Sequence, residues 1–172
     1  MLRIIRASTK EEFETAGKMF FEYSNSIGVS ICFENLEKEV AELPGAYAEP
    51  SGRLLLAYSD NALAGCGALK RVDDRVCEMK RLFVRPGFRG EGIGKRLARA
   101  LAIDAKSIGY SKIRLDTLPT MKEAIALYRS IGFESTAPFR TLPVSGVLFM
   151  SASIERVIEI TADPNGAKTS SH

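Results

Sequence analysis

The stretch Arg89-Gly90-Glu91-Gly92-Ile93-Gly94 follows a strand-like apolar run and opens the longest amphipathic segment of the chain. Three glycines in five positions let backbone N–H groups approach a ligand with no Cβ in the way. The helix that begins there adds its unpaired N-terminal N–H groups and the positive end of its dipole. Between Lys80 and Arg99, seven residues are basic (Lys80, Arg81, Arg85, Arg89, Lys95, Arg96, Arg99) and only Glu91 is acidic, although the whole chain carries just +3. Strand, glycine turn and helix start, with positive charge gathered around them, form a phosphate cradle. The common nucleotide patterns do not fit it. A Walker A loop needs glycine where Arg89 stands and Ser or Thr where Arg96 stands, and the dinucleotide fingerprint needs G-x-G-x-x-G where the chain has G-x-G-x-G.

Other chemistry is narrowed by residue type. The single histidine is His172, so Ser-His-Asp and Cys-His nucleophile chemistry is not expected. Cys32, Cys66 and Cys77 form no CxxC pair and have no histidine partner. Free, buried thiols in a reducing compartment are therefore expected, and a metal site is not. Tyr128 shares an apolar helical face with Ala124, Leu127 and Ile131, the pattern of a core tyrosine. Glu78 shares a strand face with Lys80 and Leu82 unless a bulge intervenes, and a surface ion pair with Lys80 is its plain reading. Asp116, at a strand end in LDTLP, either caps a turn or orients a cationic substrate.

The elements that must hold these residues follow from periodicity. At 172 residues, 45% apolar and 26% charged, the chain is one globular domain, expected over 1–160 with a flexible tail at 161–172. A strand spans Leu2–Ala7, and Thr9 with Glu12 forms a capping box ahead of a helix carrying Phe13, Ala16, Gly17 and Phe20. Ser24–Ile31 reads as a loop, and Phe33, Leu36, Val40 and Leu43 mark a second helix stopped by Pro44-Gly45. Strands Arg53–Ser59 and Ala62–Arg71 make a hairpin across Asp60-Asn61, followed by strand Arg75–Val84. Then come helix Gly92–Ile108, strand Lys112–Thr117, helix Met121–Ile131, an extra strand near Phe133–Thr136, and strand Gly146–Ile154, which ends the regular part. Hairpins first and β-α-β later predict an α/β (α+β) fold, a mixed sheet with helices on both faces. No signal-peptide core and no run of 18 apolar residues is present, so no membrane association and a cytoplasmic location are expected.

Arg89, Gly92 and Gly94 match (Arg/Gln)-x-x-Gly-x-(Gly/Ala), and residues 124–133, AIALYRSIGF, match A-x-x-LY-x-x-x-GF. Together, over about residues 3–154, these signatures resemble the GNAT superfamily of acyl-CoA-dependent N-acetyltransferases. The resemblance implies a mostly antiparallel GNAT-like sheet and transfer of acetyl from acetyl-CoA to a primary amine of a small molecule, peptide or protein, by direct attack in a ternary complex. It implies that the backbone of Leu82, Phe83 and Val84 pairs with the pantetheine arm. It implies too that the amides of Arg89, Gly90, Gly92, Ile93, Gly94 and Lys95 hold the pyrophosphate. Tyr128 matches the general acid beside the thioester sulfur.

Glu78, eleven residues before Arg89, matches the general base of the histone-acetylating branch. That base matters for a lysine-like amine of pKa about 10.4 and much less for an α-amine near 8. Met121 departs from the family, which often has an asparagine there to contact the cofactor arm; Thr117 or Thr120 would have to supply that bond. The family's acceptor pocket corresponds to 23–33 and 138–145, whose lack of an acidic cluster argues against polycationic acceptors. A homodimer is common in the family, with no interface identifiable here. A non-catalytic acyl-CoA-binding or sensing module is the alternative. Nucleic-acid binding ranks last, because a phosphate ligand already accounts for the basic cluster.

Overall fold

A computed structural model describes residues 1–28, 35–142 and 144–162. Seven strands form one sheet: β1 (Leu2–Arg6), β2 (Arg53–Ser59), β3 (Ala62–Arg71), β4 (Val76–Val84), β5 (Lys112–Thr117), β6 (Glu134–Ser135) and β7 (Leu148–Ser153). Their order is β1-β2-β3-β4-β5-β7-β6, and every neighbouring pair is antiparallel except β4 with β5. The helices are α1 (Lys10–Ile27), α2 (Leu36–Ala41), α3 (Ile93–Ile108), α4 (Lys122–Ser130) and α5 (Ile154–Thr161). The mixed, mostly antiparallel sheet is the one expected, and β2, β3 and β5 occupy their expected residues. Among the described residues, no helix is long and apolar enough to cross a membrane.

The sheet divides the core in two. On β2, Leu54 and Leu56 join Ala16, Met19 and Phe20 of α1, while Leu55 and Ala57 join Leu97 and Leu101 of α3. This alternation follows from the two-residue period of a strand buried on both faces. α1 opens as its sequence dictates: Glu12 N–H donates to Thr9 Oγ1 (3.2 Å), and Thr9 N–H donates to Glu12 Oε1 (3.0 Å).

Two expectations fail. The loop expected from Ser24 begins later, because α1 continues to Ile27 and ends at Gly28, whose φ of 70° breaks it. The serines of that last turn do not break the helix. Ser26 Oγ donates back to the Tyr23 carbonyl (2.7 Å), and the Tyr23 ring stacks on Phe83 of β4 at 5.0 Å. The remainder of the expected loop, 29–31, lies outside the described residues.

The chain also does not leave regular structure at Ile154. Ser153 Oγ accepts from Arg156 N–H (3.4 Å), and α5 buries Ile154, Val157 and Thr161 at helical spacing. Its β-branched residues have weak helix propensity, but packing on α3 overrides it. α5 takes in Thr161, one residue past the expected domain edge, while 163–172 lie outside the described residues.

Candidate active site

β4 and β5 run in parallel register only from Val76↔Lys112 to Glu78↔Arg114. Beyond Glu78 the strands separate, so among the described residues Met79–Val84 has no ladder partner on its β5 side, which leaves that edge for another hydrogen-bonding partner. A bulge completes the opening. The β3–β4 register slips between Cys66↔Phe83 and Ala68↔Lys80, where Arg81 takes a φ of 59°. The bulge puts Lys80 and Arg81 on the α1–α2 face and returns Leu82 and Val84 to the α3 side. Glu78 therefore does not share a face with Leu82.

The opening widens into a cleft of about 900 Å³, at the large end of ligand sites. Leu82, Phe83 and Val84 form one wall, and Arg89, Gly90, Gly92, Ile93, Gly94 and Lys95 form its floor. Gly90 and Gly92 adopt φ of 85° and 77°, the left-handed turn that delivers the chain into α3. Arg96 N–H donates to the Gly92 carbonyl (3.1 Å), closing the first helical turn. The amides of Ile93, Gly94 and Lys95 precede that bond and have no carbonyl upstream within the helix. Arg89 Nε donates to the Val84 carbonyl (3.1 Å), tying the loop to the end of β4. These features fit a nucleoside-diphosphate head and a peptide-like arm.

Tyr128 stands where this cleft meets a narrow junction between β4 and β5, lined also by Lys80, Leu82, Asp116 and Met121. The motif around it has a local logic. Gly132, at φ 106°, turns the chain out of α4, and the Phe133 ring packs 5.7 Å from the Tyr128 ring. Tyr128 is 5% exposed, and burial followed by the nearby Asp116 charge pushes its phenol well above the usual range. The phenol thus keeps its proton throughout the physiological range. Thr117 Oγ1 donates to Met121 Sδ (3.7 Å), while Thr120 lines the cleft itself.

On the far side of the junction lies a second hollow of about 380 Å³, bounded by α2, β3, β4 and the loop carrying Arg140. Lys80, Arg81 and Asp116 line both. At its base Glu78 is 0% exposed and faces four cations. Lys70 lies 3.5 Å away, Lys80 4.0 Å and Arg114 3.3 Å, and Arg140 donates to Glu78 Oε1. Arg140 also donates to Asp116 Oδ2 (2.9 Å), so in this structure Asp116 pairs with Arg140 across the hollow. Arg81 pairs with Glu39 of α2 (3.0 Å). Burial pushes the Lys80 ammonium below its usual range, and the Arg81 charge beside it acts the same way against the pull of Glu78. Cys66 and Cys77 are free and buried, with thiols pushed up to about 12 by desolvation.

The junction thus brings together Tyr128, the end of the glycine cleft and the cation-lined hollow. The hollow is the part that sequence reasoning missed. Lys70, Glu78 and Arg114 are direct cross-strand neighbours on β3, β4 and β5, a relation visible only once the strand registers are known.

The model of the acetyltransferase (GNAT) family matches residues 18–133. An uncharacterized N-acetyltransferase of Schizosaccharomyces pombe is 35% identical over 137 residues, covering 78% of this chain and 84% of its own. One from Dictyostelium discoideum is 29% identical over 207 residues, covering 84% and 96%. The PaiA N-acetyltransferase of Thermoplasma acidophilum, solved with coenzyme A, superposes with a TM-score of 0.70 at 20% identity, over 89% of this chain and 99% of that one. At that identity the likeness is one of fold.

Proposed function

Because the chain belongs to the GNAT acetyltransferase family and is an N-acetyltransferase, we propose that acetyl passes from acetyl-CoA to the amine in one step, in a ternary complex formed across the junction. The observation that carries this reading is that the three spaces share their lining, Tyr128 bordering both cleft and junction, and Lys80 and Asp116 bordering both junction and hollow. The amides of Arg89, Gly90, Gly92, Ile93, Gly94 and Lys95 hold the pyrophosphate, and the open edge of Leu82, Phe83 and Val84 receives the pantetheine amides. Bound acetyl-CoA would supply a thioester: a C–N bond forms, the C–S bond breaks, the departing thiolate takes a proton from Tyr128, and the proton lost by the attacking neutral amine restores that of Tyr128 through solvent.

Tyr128 donates to the sulfur as the C–S bond lengthens. An ordinary phenol near 10 already lies about 1.5 units above a thiol near 8.5, so full proton transfer starts uphill by about 2 kcal/mol. The dry site that raises the phenol also raises the thiolate's proton affinity, so the two rises offset one another and the gap is not widened by the phenol's full rise. Glu78 is a positioning residue in this reading, because both of its oxygens face cations. Among the described residues, the Cys66 and Cys77 thiols at about 12 supply no thiolate nucleophile, which supports direct transfer. Buried free cysteines also support a reducing, cytoplasmic setting.

Calorimetric titration with acetyl-CoA, beside ATP and NAD, tests the cofactor. Saturable micromolar binding of acetyl-CoA alone is expected, and its absence overturns the reading. Acetyl-CoA mixed with protein alone should leave no acetyl-enzyme; a stoichiometric adduct overturns direct transfer.

A further inference from the structure

Among the described residues, the hollow beyond the junction carries an excess of positive charge. Lys70, Lys80, Arg114 and Arg140 face Glu78 and Asp116, four charges against two. The other described charges that line it balance: Arg81 pairs with Glu39, and Lys38 is matched in number by Glu42. The two lysines differ from the two arginines in what they have left to give. Arg140 donates to both carboxylates, whereas the Lys70 and Lys80 ammonium groups stand 3.5 and 4.0 Å from Glu78, beyond hydrogen-bond length. Neither ammonium makes a hydrogen bond within the described residues, so each keeps its donors for another acceptor. The Lys80 side chain is also largely shielded from solvent, at 17% exposed, which strengthens any bond it makes to an anion. At about 380 Å³ the hollow is the size of a small molecule.

We propose that the acceptor is a free amino acid, its carboxylate held between Lys70 and Lys80 and its amine directed into the junction. This rests on the acetyltransferase reading above and names its substrate class. Arg140, braced by Glu78 and Asp116, holds the floor of the site rather than the ligand. An ammonium-only acceptor meets a field of its own sign here, whereas a carboxylate neutralises part of the excess and is drawn in by it.

The test is thiol release at saturating acetyl-CoA from a panel of free amino acids, each beside its α-amide and its decarboxylated amine, with an aminosugar phosphate as a second anion. At least one free acid should exceed its amide and its amine in kcat/KM by about 10–100-fold, the share of one charge-assisted hydrogen bond. Lys70→Gln, a half-exposed position, should raise KM for that acid about tenfold or more while sparing KM for its amide. Amides or simple amines reacting as well as the acids overturn the proposal, and so does preference for the phosphate. Acetyl-CoA binding in the same samples with no acid turned over overturns this proposal alone. Failure to bind acetyl-CoA overturns the reading beneath it as well.

Discussion

Replacing Tyr128 with Phe removes one oxygen from the place where the cleft and junction meet and leaves nearly everything else. The ring keeps its contact with Phe133, and the hydroxyl makes no hydrogen bond to the protein among the described residues. Its loss therefore leaves no buried partner unsatisfied, and the stability cost should stay below about 1 kcal/mol. In the proposed donor role its bond to sulfur forms only as charge develops, so its loss would fall on the transition state and not on the bound ground state. Deleting a comparable donor in a water-excluded site costs about 2.7–4 kcal/mol, or 100–1,000-fold in kcat. The assay is steady-state thiol release with acetyl-CoA varied, beside calorimetric Kd for acetyl-CoA and a melting curve. The expected result is kcat down by about 100-fold or more, with Kd within about threefold and Tm within a few degrees. A kcat within about threefold of the parent, or an equal loss in Kd, would refute the donor role.

Other perturbations separate structure from chemistry. Glu78→Gln leaves four partly buried cations facing one another and should cost about 2–4 kcal/mol in denaturant unfolding. If Glu78 were instead the base, the alkaline shift of its pH–rate profile would exceed that of any stability-matched variant. Gly65→Ala would place a Cβ 2.6 Å from the Phe83 carbonyl oxygen, so β3 and β4 must part beside the bulge. A loss of about 1–3 kcal/mol in stability and a raised KM for acetyl-CoA are expected from unfolding curves and kinetics. Lys80, lowered by burial, is charged below its folded pKa and begins to lose that charge at a pH below the ordinary lysine range. Affinity for an anionic acceptor should therefore fall on the alkaline limb, and Lys80→Arg should move that fall to higher pH.

Most of the fold could be read from the chain because its signals are local. Arg53–Ser59 and Ala62–Arg71 are bounded by turn residues, and the capping box of Thr9 and Glu12 marks α1 within four residues. The glycine cleft was legible for the same reason, since Arg89–Lys95 is one uninterrupted segment. The cation hollow was not. Its members come from β3, β4, β5 and the loop before β7, and nothing in the spacing of Lys70, Arg114 and Arg140 says that they meet at Glu78. The bulge at Arg81 was equally hidden, because a positive φ at a non-glycine residue has no composition signal. It moves Lys80 and Arg81 onto one face and so joins the two halves of the site.

The contact between α3 and α5 has a dynamic consequence. Arg99 of α3 donates to the Ile158 carbonyl (2.7 Å) and to Thr161 Oγ1 (3.0 Å), and Ile160 and Arg156 of α5 pack beneath Gly132 at the exit of α4. One short helix thus touches both segments that carry the glycine turn and Tyr128. Amide hydrogens of α3, α4 and α5 should then exchange with deuterium as one cooperative opening unit, not as three. If so, how often the site comes apart is governed from the side of the sheet opposite the hollow, by an element that lines neither the hollow nor the glycine cleft.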